Sequence, residues 1–487
     1  MKVLELEKIR ASERAAVESG KTTYLQLMKN AGTLIAKRIA ERGSVAGKRI
    51  CVVCGKGNNG GDGLVVAGEL SARGAFVSLV LPSGVPSADT AARFSNIAEK
   101  LPVVKFVPES CDILIDALLG IGIDRPVGGV YADIIRSMNN CHAFKVAVDI
   151  PSGLFCDSGA VETEAFNADV TYTVIAAKQC FFLPPAGEYC GKIEVLDIGA
   201  PPAVGDIFTI DGHSSVKRGK YSHKGTFGTA LLVCGSYGMC GAGILAARAA
   251  LRSGVGIVRA LVCDKNYAPF CSAVPEAVTI PVPTSLAGVP VADDSTVFDA
   301  VKGADAVLFG CGISCGAESE RLFRRIAAVV SVPIVIDADG INLLCRDISI
   351  IRNIKAPIII TPHPGEMARL CNTTVTKIES DRVGYARDFA MSHKCVVVLK
   401  GANTVVADTS GKVFFNTTGN AGMATGGSGD VLAGITVSLL AQGRSALEAA
   451  CDGVFIHGDA ADSVREHCSS SALIPSDIIQ ELKKTEI

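Results

Sequence analysis

With 487 residues the chain is too long for one ordinary domain, and 48% hydrophobic residues supply material for more than one core. A formal charge of −2, from 47 basic and 49 acidic residues, excludes a dedicated nucleic-acid binder, which needs a basic face for phosphates. The 18 cysteines are scattered singly through apolar segments and read as reduced core residues, not as a secreted disulfide framework. Met1-Lys-Val-Leu-Glu-Leu-Glu-Lys8 alternates charge where a signal peptide would be apolar, and no apolar run approaches the ~20 residues of a membrane span. A cytoplasmic protein is expected.

In chain order, Leu25, Met28, Gly32, Ile35 and Ile39 fall at helical spacing, and Gly43 and Gly47 stop that helix. Arg49–Cys54 reads as a buried parallel strand and 55–63 as a glycine-rich loop. Leu64 to Arg73 reads as a helix. Further strands are expected at 75–81, 111–119 and 144–149, each leading into a glycine loop or an acidic residue. Strands alternating with helices mean a parallel sheet covered on both faces, a Rossmann-like three-layer domain whose ligands collect at the C-terminal strand ends. The pattern falters after Ile193–Ile198 at the Pro/Gly-rich 199–205 and the polar, basic 213–224. The domain boundary is placed there, giving 1–210 and 211–487. A second alternation follows, with strands at 229–234, 306–309, 333–337, 357–361 and 395–399. The fold class is α/β, with two three-layer domains in tandem.

Gly55, Gly57 and Gly60 match G-x-G-x-x-G between a strand and a helix, but the next strand ends Leu79-Val-Leu-Pro-Ser-Gly84. No acidic residue stands there to hold a ribose, which demotes a hydride-transferring dehydrogenase, and no Gly-Lys-Ser/Thr closes a P-loop. Asn58, Asn59, Gly60, Gly61 and Asp62 instead offer amides, flexible backbone and a carboxylate that can wrap a polar ligand or give hard oxygens to a cation. Asp116, Asp149 and Ser152 lie at or just past strand ends on the same sheet edge. Lys178 follows another strand, where a lysine is usually a solvated end.

The second domain closes on Asn420-Ala-Gly-Met-Ala-Thr-Gly-Gly-Ser-Gly-Asp430, between the strand-like Lys412-Val-Phe-Phe415 and an apolar helical run from Val431. Glycines let backbone approach a ligand, and a helix N-terminus favours an anion. The pattern reads as a phosphate cradle with a catalytic carboxylate, Asp430, at its lip. Helix capping is the plainer role for Asp430.

Together these motifs resemble a known family. Asn58–Gly63, the loop 120–126 and Val148-Asp-Ile-Pro-Ser-Gly153 are similar to the NAD(P)H-hydrate epimerase domain. Thr361-Pro-His-Pro-Gly-Glu366, Lys400-Gly-Ala-Asn-Thr404, Gly235–Gly243 and the Asn420–Asp430 loop resemble the ribokinase-like NAD(P)H-hydrate dehydratase domain. The order matches the fused bacterial repair enzymes.

The resemblance implies that the epimerase holds its hydrated substrate with Asn58, Asn59, Gly60, Gly61, Asp62, Gly120, Ile121, Gly122, Ile123, Asp124, Arg125, Pro126 and Asp149. Asp149 is its best acid/base candidate and Lys178 a weaker one, and Asn59, Asp116 and Ser152 match potassium ligands. In the dehydratase, Ala242, Gly312, His363 and Asp430 contact the hydrate, while Lys400, Gly401, Ala402, Asn403, Thr404 and Gly429 contact the nucleotide. ADP as cosubstrate, with ATP as the other donor, magnesium and a homo-oligomer are implied too. Ile121 and Ile123-Asp124 depart from the family's epimerase loop, and Gly310-Cys-Gly-Ile-Ser314 replaces a more usual Gly-Pro-Gly run. Two rivals are a ribokinase-like kinase for a small vitamin precursor or sugar and a non-enzymatic NAD-binding regulator. Neither explains a long first domain joined to intact Asp149 and Asp430.

Overall fold

The computed structural model describes every residue except Asp89. It divides into two compact units, Met1–Ile207 and Phe208–Ile487. The first is built on seven parallel strands in the order Val103–Val104, Phe76–Val80, Arg49–Cys54, Ser110–Ala117, His142–Val148, Val170–Val174 and Lys192–Leu196. The chain reverses its direction of travel across the sheet between Arg49–Cys54 and Ser110–Ala117. Loops at such a switch point splay apart and leave a crevice for a ligand. Val52, Val53, Leu114, Ile115, Val146 and Ala147 are buried on both faces, as a helix-covered parallel sheet requires.

The helix Tyr24–Glu41 is capped by Thr23, whose side chain accepts from Gln26 N, and it buries Leu27, Met28, Ala31, Gly32, Ile35 and Ile39. Its partner differs from expectation. The helix starts at Asn58, not at Leu64, and runs to Ala72, so Gly60, Gly61 and Gly63 are helical and not part of a loop. Close packing is the reason. A Cβ on Gly60 would lie 1.9 Å from the Gly55 carbonyl oxygen, one on Gly61 2.6 Å from Met28 Sδ, and one on Gly63 2.4 Å from the Ala117 methyl. The glycines let the helix sit against the strand ends and present Asn58, Asn59 and Asp62 there. The opening helix Leu6–Glu18 and a short strand, Lys2–Leu4, were not read from the sequence. That strand pairs in parallel with Ala177–Lys178, with Leu4 opposite Lys178.

The second unit orders its strands Val278–Val282, Ile257–Cys263, Thr229–Val233, Ala306–Phe309, Ile334–Ile336, Ile358–Ile360, Val396–Leu399, Val405–Ala407 and Val413–Asn416. The first seven run parallel and the last two are joined antiparallel. The switch point falls between Thr229–Val233 and Ala306–Phe309. The helix Ser428–Ala441 is buried on nearly every side, against Cys240–Arg252 among others. At their crossing a Cβ on Gly434 would lie 2.2 Å from the Ala246 carbonyl oxygen, so the helix backbones touch.

All 18 cysteines are free thiols, and none is exposed. Among the described residues no helix is long and apolar enough to cross a membrane.

Candidate active sites

The first unit has a cavity of about 800 Å³ at its switch point, lined by Arg10, Glu13, Asn58, Asn59, Asp62, residues 118–128, Tyr131, Asp149 and Val174. Asp149 follows directly on its strand with φ 64°, in the left-handed region that aspartate enters more readily than most side chains. Its Oδ1 accepts from Thr173 Oγ1 and Val174 N, each at 3.2 Å, and from the Lys178 ammonium. Lys178 is wholly buried, and its Nζ also donates to Thr173 Oγ1 at 2.5 Å and Val174 O at 3.1 Å. Three acceptors for three N–H bonds leave no unpaired charge. The solvated strand end expected for Lys178 is thus overturned, because pairing opposite Leu4 draws this residue into the sheet.

Two more carboxyls face this cavity. Burial and the nearby Asp149 charge push Asp62 well above the usual carboxylate range, and the same two causes raise Glu13. Asp116 and Ser152 do not line the cavity but lie fully buried beneath it. Ser152 Oγ donates to Asp116 Oδ1 at 2.6 Å and accepts from Leu119 N at 2.8 Å, and Ser152 N donates to Asp116 Oδ2 at 2.7 Å. Burial still carries Asp116 up to about 6. Asn59 Nδ2 donates to Leu119 O at 2.8 Å, while its buried Oδ1 has no partner among the described residues.

The second unit has a cavity of about 850 Å³ whose wall includes His363, Lys400 to Thr404, Asn416, Asn420, Gly426, Ser428, Gly429 and His457, with no acidic residue in its lining. The helix Ser428–Ala441 has Gly427 at its N-cap, with φ 98° and no side chain to bond the first-turn amides. Ser428 N donates to Thr425 O at 3.4 Å, and the N–H groups that follow it carry no side-chain cap, which favours an anion there. Asp430 is the third helical residue, which removes the capping role. Burial and the Asp337 charge bring its carboxyl up to about 6, against the pull of Cys311 and Lys400. Lys400 Nζ donates to Asp337 Oδ1 at 2.8 Å, and Thr361 Oγ1 donates to the same oxygen at 2.6 Å. Burial alone would lower the Lys400 ammonium, but the Asp337 and Glu366 carboxylates outweigh it and raise it. A Cβ on Gly429 would lie 3.4 Å from Lys400 Nζ, so the glycine keeps the ammonium close to the helix start.

The comparisons with known proteins follow this division. A family profile described as NAD(P)H-hydrate dehydratase matches residues 230–484, and one described as YjeF-related protein N-terminus matches 24–180. The chain is 36% identical over 482 residues to the bifunctional NAD(P)H-hydrate repair enzyme Nnr of Moorella thermoacetica, covering 94% of this chain and 91% of that one. It belongs to the bifunctional NAD(P)H-hydrate repair enzymes. The Escherichia coli member is 34% identical over 490 residues, covering 98% and 92% of the two chains. Among solved structures, an ADP/ATP-dependent NAD(P)H-hydrate dehydratase from Bacillus subtilis is 28% identical, with a TM-score of 0.48, covering 55% of this chain and 93% of that one.

Within this repair-enzyme chain, Asn58, Asn59, Asp62, Gly120 to Pro126 and Asp149 share the first cavity, while Gly60 and Gly61 face protein instead. His363, Lys400 to Thr404 and Gly429 share the second cavity. Asp430, Ala242 and Gly312 do not line it; Ala242 and Gly312 meet each other, a Cβ on Gly312 falling 3.0 Å from the Ala242 methyl. His363 also caps the helix Pro364–Leu370, its Nδ1 accepting from Gly365 N at 3.0 Å and Glu366 N at 3.3 Å. Asp337, Thr361, Cys311 and His457 were not singled out from the sequence. Asp337 could have been, since Pro333-Ile-Val-Ile-Asp337 ends a strand in an acid just as Asp149 does. Glu13 carried no such mark.

Proposed function

We propose that the first site interconverts the R and S epimers of hydrated NADH and NADPH, and that the second dehydrates the S epimer using ADP, with ATP as an alternative donor. The boundary near residue 210 separates the two activities. In the first reaction Asp149 takes the proton from the C6 hydroxyl of the hydrate. The C6–N1 bond then opens and recloses on either face of the ring, and the proton returns, so no redox cofactor is needed. The Lys178 ammonium hydrogen-bonds to Asp149, Thr173 and Val174 and does not line the cavity, so its role is to hold the carboxylate. Asn58, Asp62 and residues 120–126 place the ring.

In the second reaction hydroxide must become a better leaving group. Asp430 takes the hydroxyl proton as general base, worth roughly 10²–10⁴ in rate. The hydroxyl oxygen attacks the terminal phosphorus of the nucleotide and expels AMP from ADP (or ADP from ATP), and phosphate then leaves C6 with its bonding electrons as C5 gives up its proton to the departing phosphate. First-turn amides of Ser428–Ala441 and the Lys400 ammonium stabilise the charge on the moving phosphoryl group. The observation that carries this reading is Asp430 in an uncapped first turn beside Lys400. With no acidic residue in the cavity wall, magnesium would enter on the nucleotide phosphates. The test is to incubate the protein with a mixture of hydrated NADH epimers. Full recovery of dihydronicotinamide absorbance is expected with ADP and none without it; recovery without any nucleotide would overturn the phosphorylation step.

Potassium belongs to this reading as well. Asn59 Oδ1 is a buried oxygen without a donor, and Asp116 is a buried carboxyl whose donors do not offset its burial. With Ser152 Oγ they form an oxygen-only set, which suits an alkali ion better than zinc. Replacing potassium by tetramethylammonium should slow epimerisation while leaving dehydration of pure S hydrate unchanged. Equal epimerisation rates in the two buffers would remove the ion. The free cysteines fit a reducing, cytoplasmic setting.

A further inference from the structure

Cys311 sits in the bend after Ala306–Phe309, between two glycines of positive φ, Gly310 at 129° and Gly312 at 62°. Its carbonyl accepts from Gly235 N at 2.9 Å, which fixes the bend against the neighbouring strand end. The side chain is fully buried, and its Sγ lies 3.8 Å from Asp337 Oδ2. Cys311 Sγ and an oxygen each of Asp337 and Asp430 all lie within 4.8 Å of one another. Two carboxylates this close repel in a site with little water, so the group between them matters. The other oxygen of Asp337 is already taken by Lys400 and Thr361. What remains facing Asp430 is a thiol. Contact with the Cys234 thiol, followed by burial, drives Cys311 well above the usual thiol range, so it stays an S–H donor.

Resting on the assignment of Asp430 as the dehydration base, we propose that Cys311 is a positioning residue for it, its S–H donating between the Asp337 and Asp430 carboxylates and holding Asp430 toward the substrate hydroxyl. The groups that set the charge of Asp430 come from four directions. Asp337 and Asp339 raise its carboxyl, while the Cys311 thiol and Lys400 lower it. Removing the thiol removes one of the two lowering influences, and Asp430 then needs a higher pH to act as a base.

The experiment is the pH dependence of ADP-dependent dehydration for the wild type, Cys311→Ala, Cys311→Ser and Asp430→Asn. The wild-type acid limb is expected near the Asp430 value of about 6. Cys311→Ala should move it upward by about half a unit, so that the rate at pH ~6 falls roughly twofold more than the plateau does. Cys311→Ser keeps a donor and should restore the limb. In infrared difference spectra the wild-type S–H stretch that Cys311→Ser abolishes should shift as Asp430 titrates across about pH 5 to 7. An unmoved limb in Cys311→Ala, or a uniform loss of rate at every pH, would reduce Cys311 to packing and overturn the inference. An S–H band indifferent to pH would do the same. Failure of the base assignment has a different signature: Asp430→Asn would then dehydrate at the wild-type rate, and the inference would fall with it.

Discussion

Asp430→Asn is expected to lower ADP-dependent dehydration at least about a hundredfold while leaving epimerisation untouched. Asparagine keeps the shape and the hydrogen-bonding capacity of the side chain but cannot take up a proton. Nucleotide binding should survive, because Lys400 to Thr404 and the uncapped first-turn amides are unchanged. Stability should not fall either. A carboxyl raised to about 6 costs the folded state nothing below the unfolded value near 4, and the cost grows as pH rises from there to about 6. Removing the charge removes that cost, so Tm at pH ~7 should equal or exceed the wild type's, with the advantage gone at pH ~3.5. A variant that folds, binds ADP and still dehydrates near the wild-type rate would leave this site without its base.

The second large effect lies in the other unit. Asp149→Asn should cut epimerisation by about 10² or more. Presented with mixed epimers and ADP, this variant should restore only the S fraction and then stop, whereas the wild type continues to completion. It should also be less stable. Lys178 is wholly buried and Asp149 is its carboxylate partner, and breaking a buried pair by removing one charge costs roughly 3–5 kcal/mol. Lys178→Met separates the two roles. With the buried ammonium gone, folding should suffer less than in Asp149→Asn, yet epimerisation should still drop because Asp149 has lost the contact that aims it. Repair that runs to completion in Asp149→Asn at the wild-type rate would sink the assignment.

Much of the scaffold was legible because buried parallel strands leave continuous apolar runs. Arg49–Cys54 and Ala306–Phe309 end where the sequence ends them, and Thr229–Val233 ends one residue early. Val170–Val174 was read only as the unbounded strand before Lys178, although its β-branched residues and tyrosine suit a strand; in the fold Thr171 is buried there and donates to Cys190 O. The glycines from 55 to 63 announced a site but misled about its form. Glycine density looks alike whether it serves a flexible loop or a close helix packing, and only the facing atoms distinguish the two. Lys178 was undervalued because its burial depends on a strand at Lys2–Leu4, more than 170 residues away in the chain. Asp337 and Cys311 belong to a cluster assembled from two separate strand ends and a helix, a proximity that no local pattern records.

The burial of eleven of the 18 thiols bears on how the protein ages. Burial carries Cys51, Cys190 and Cys395 up to about 12, and a thiol in that state is a poor nucleophile toward peroxide or alkylating agents. Those eleven thiols are thus chemically quiet while folded. Unfolding would release them, and with them a capacity for oxidation and cross-linking. Iodoacetamide uptake by the eleven buried cysteines at neutral pH should be slow in the native state and rise steeply across the urea transition; rapid native labelling of several of these eleven would contradict their burial. Chemical lifetime is then tied to the frequency of unfolding, not to the reactivity of any one cysteine.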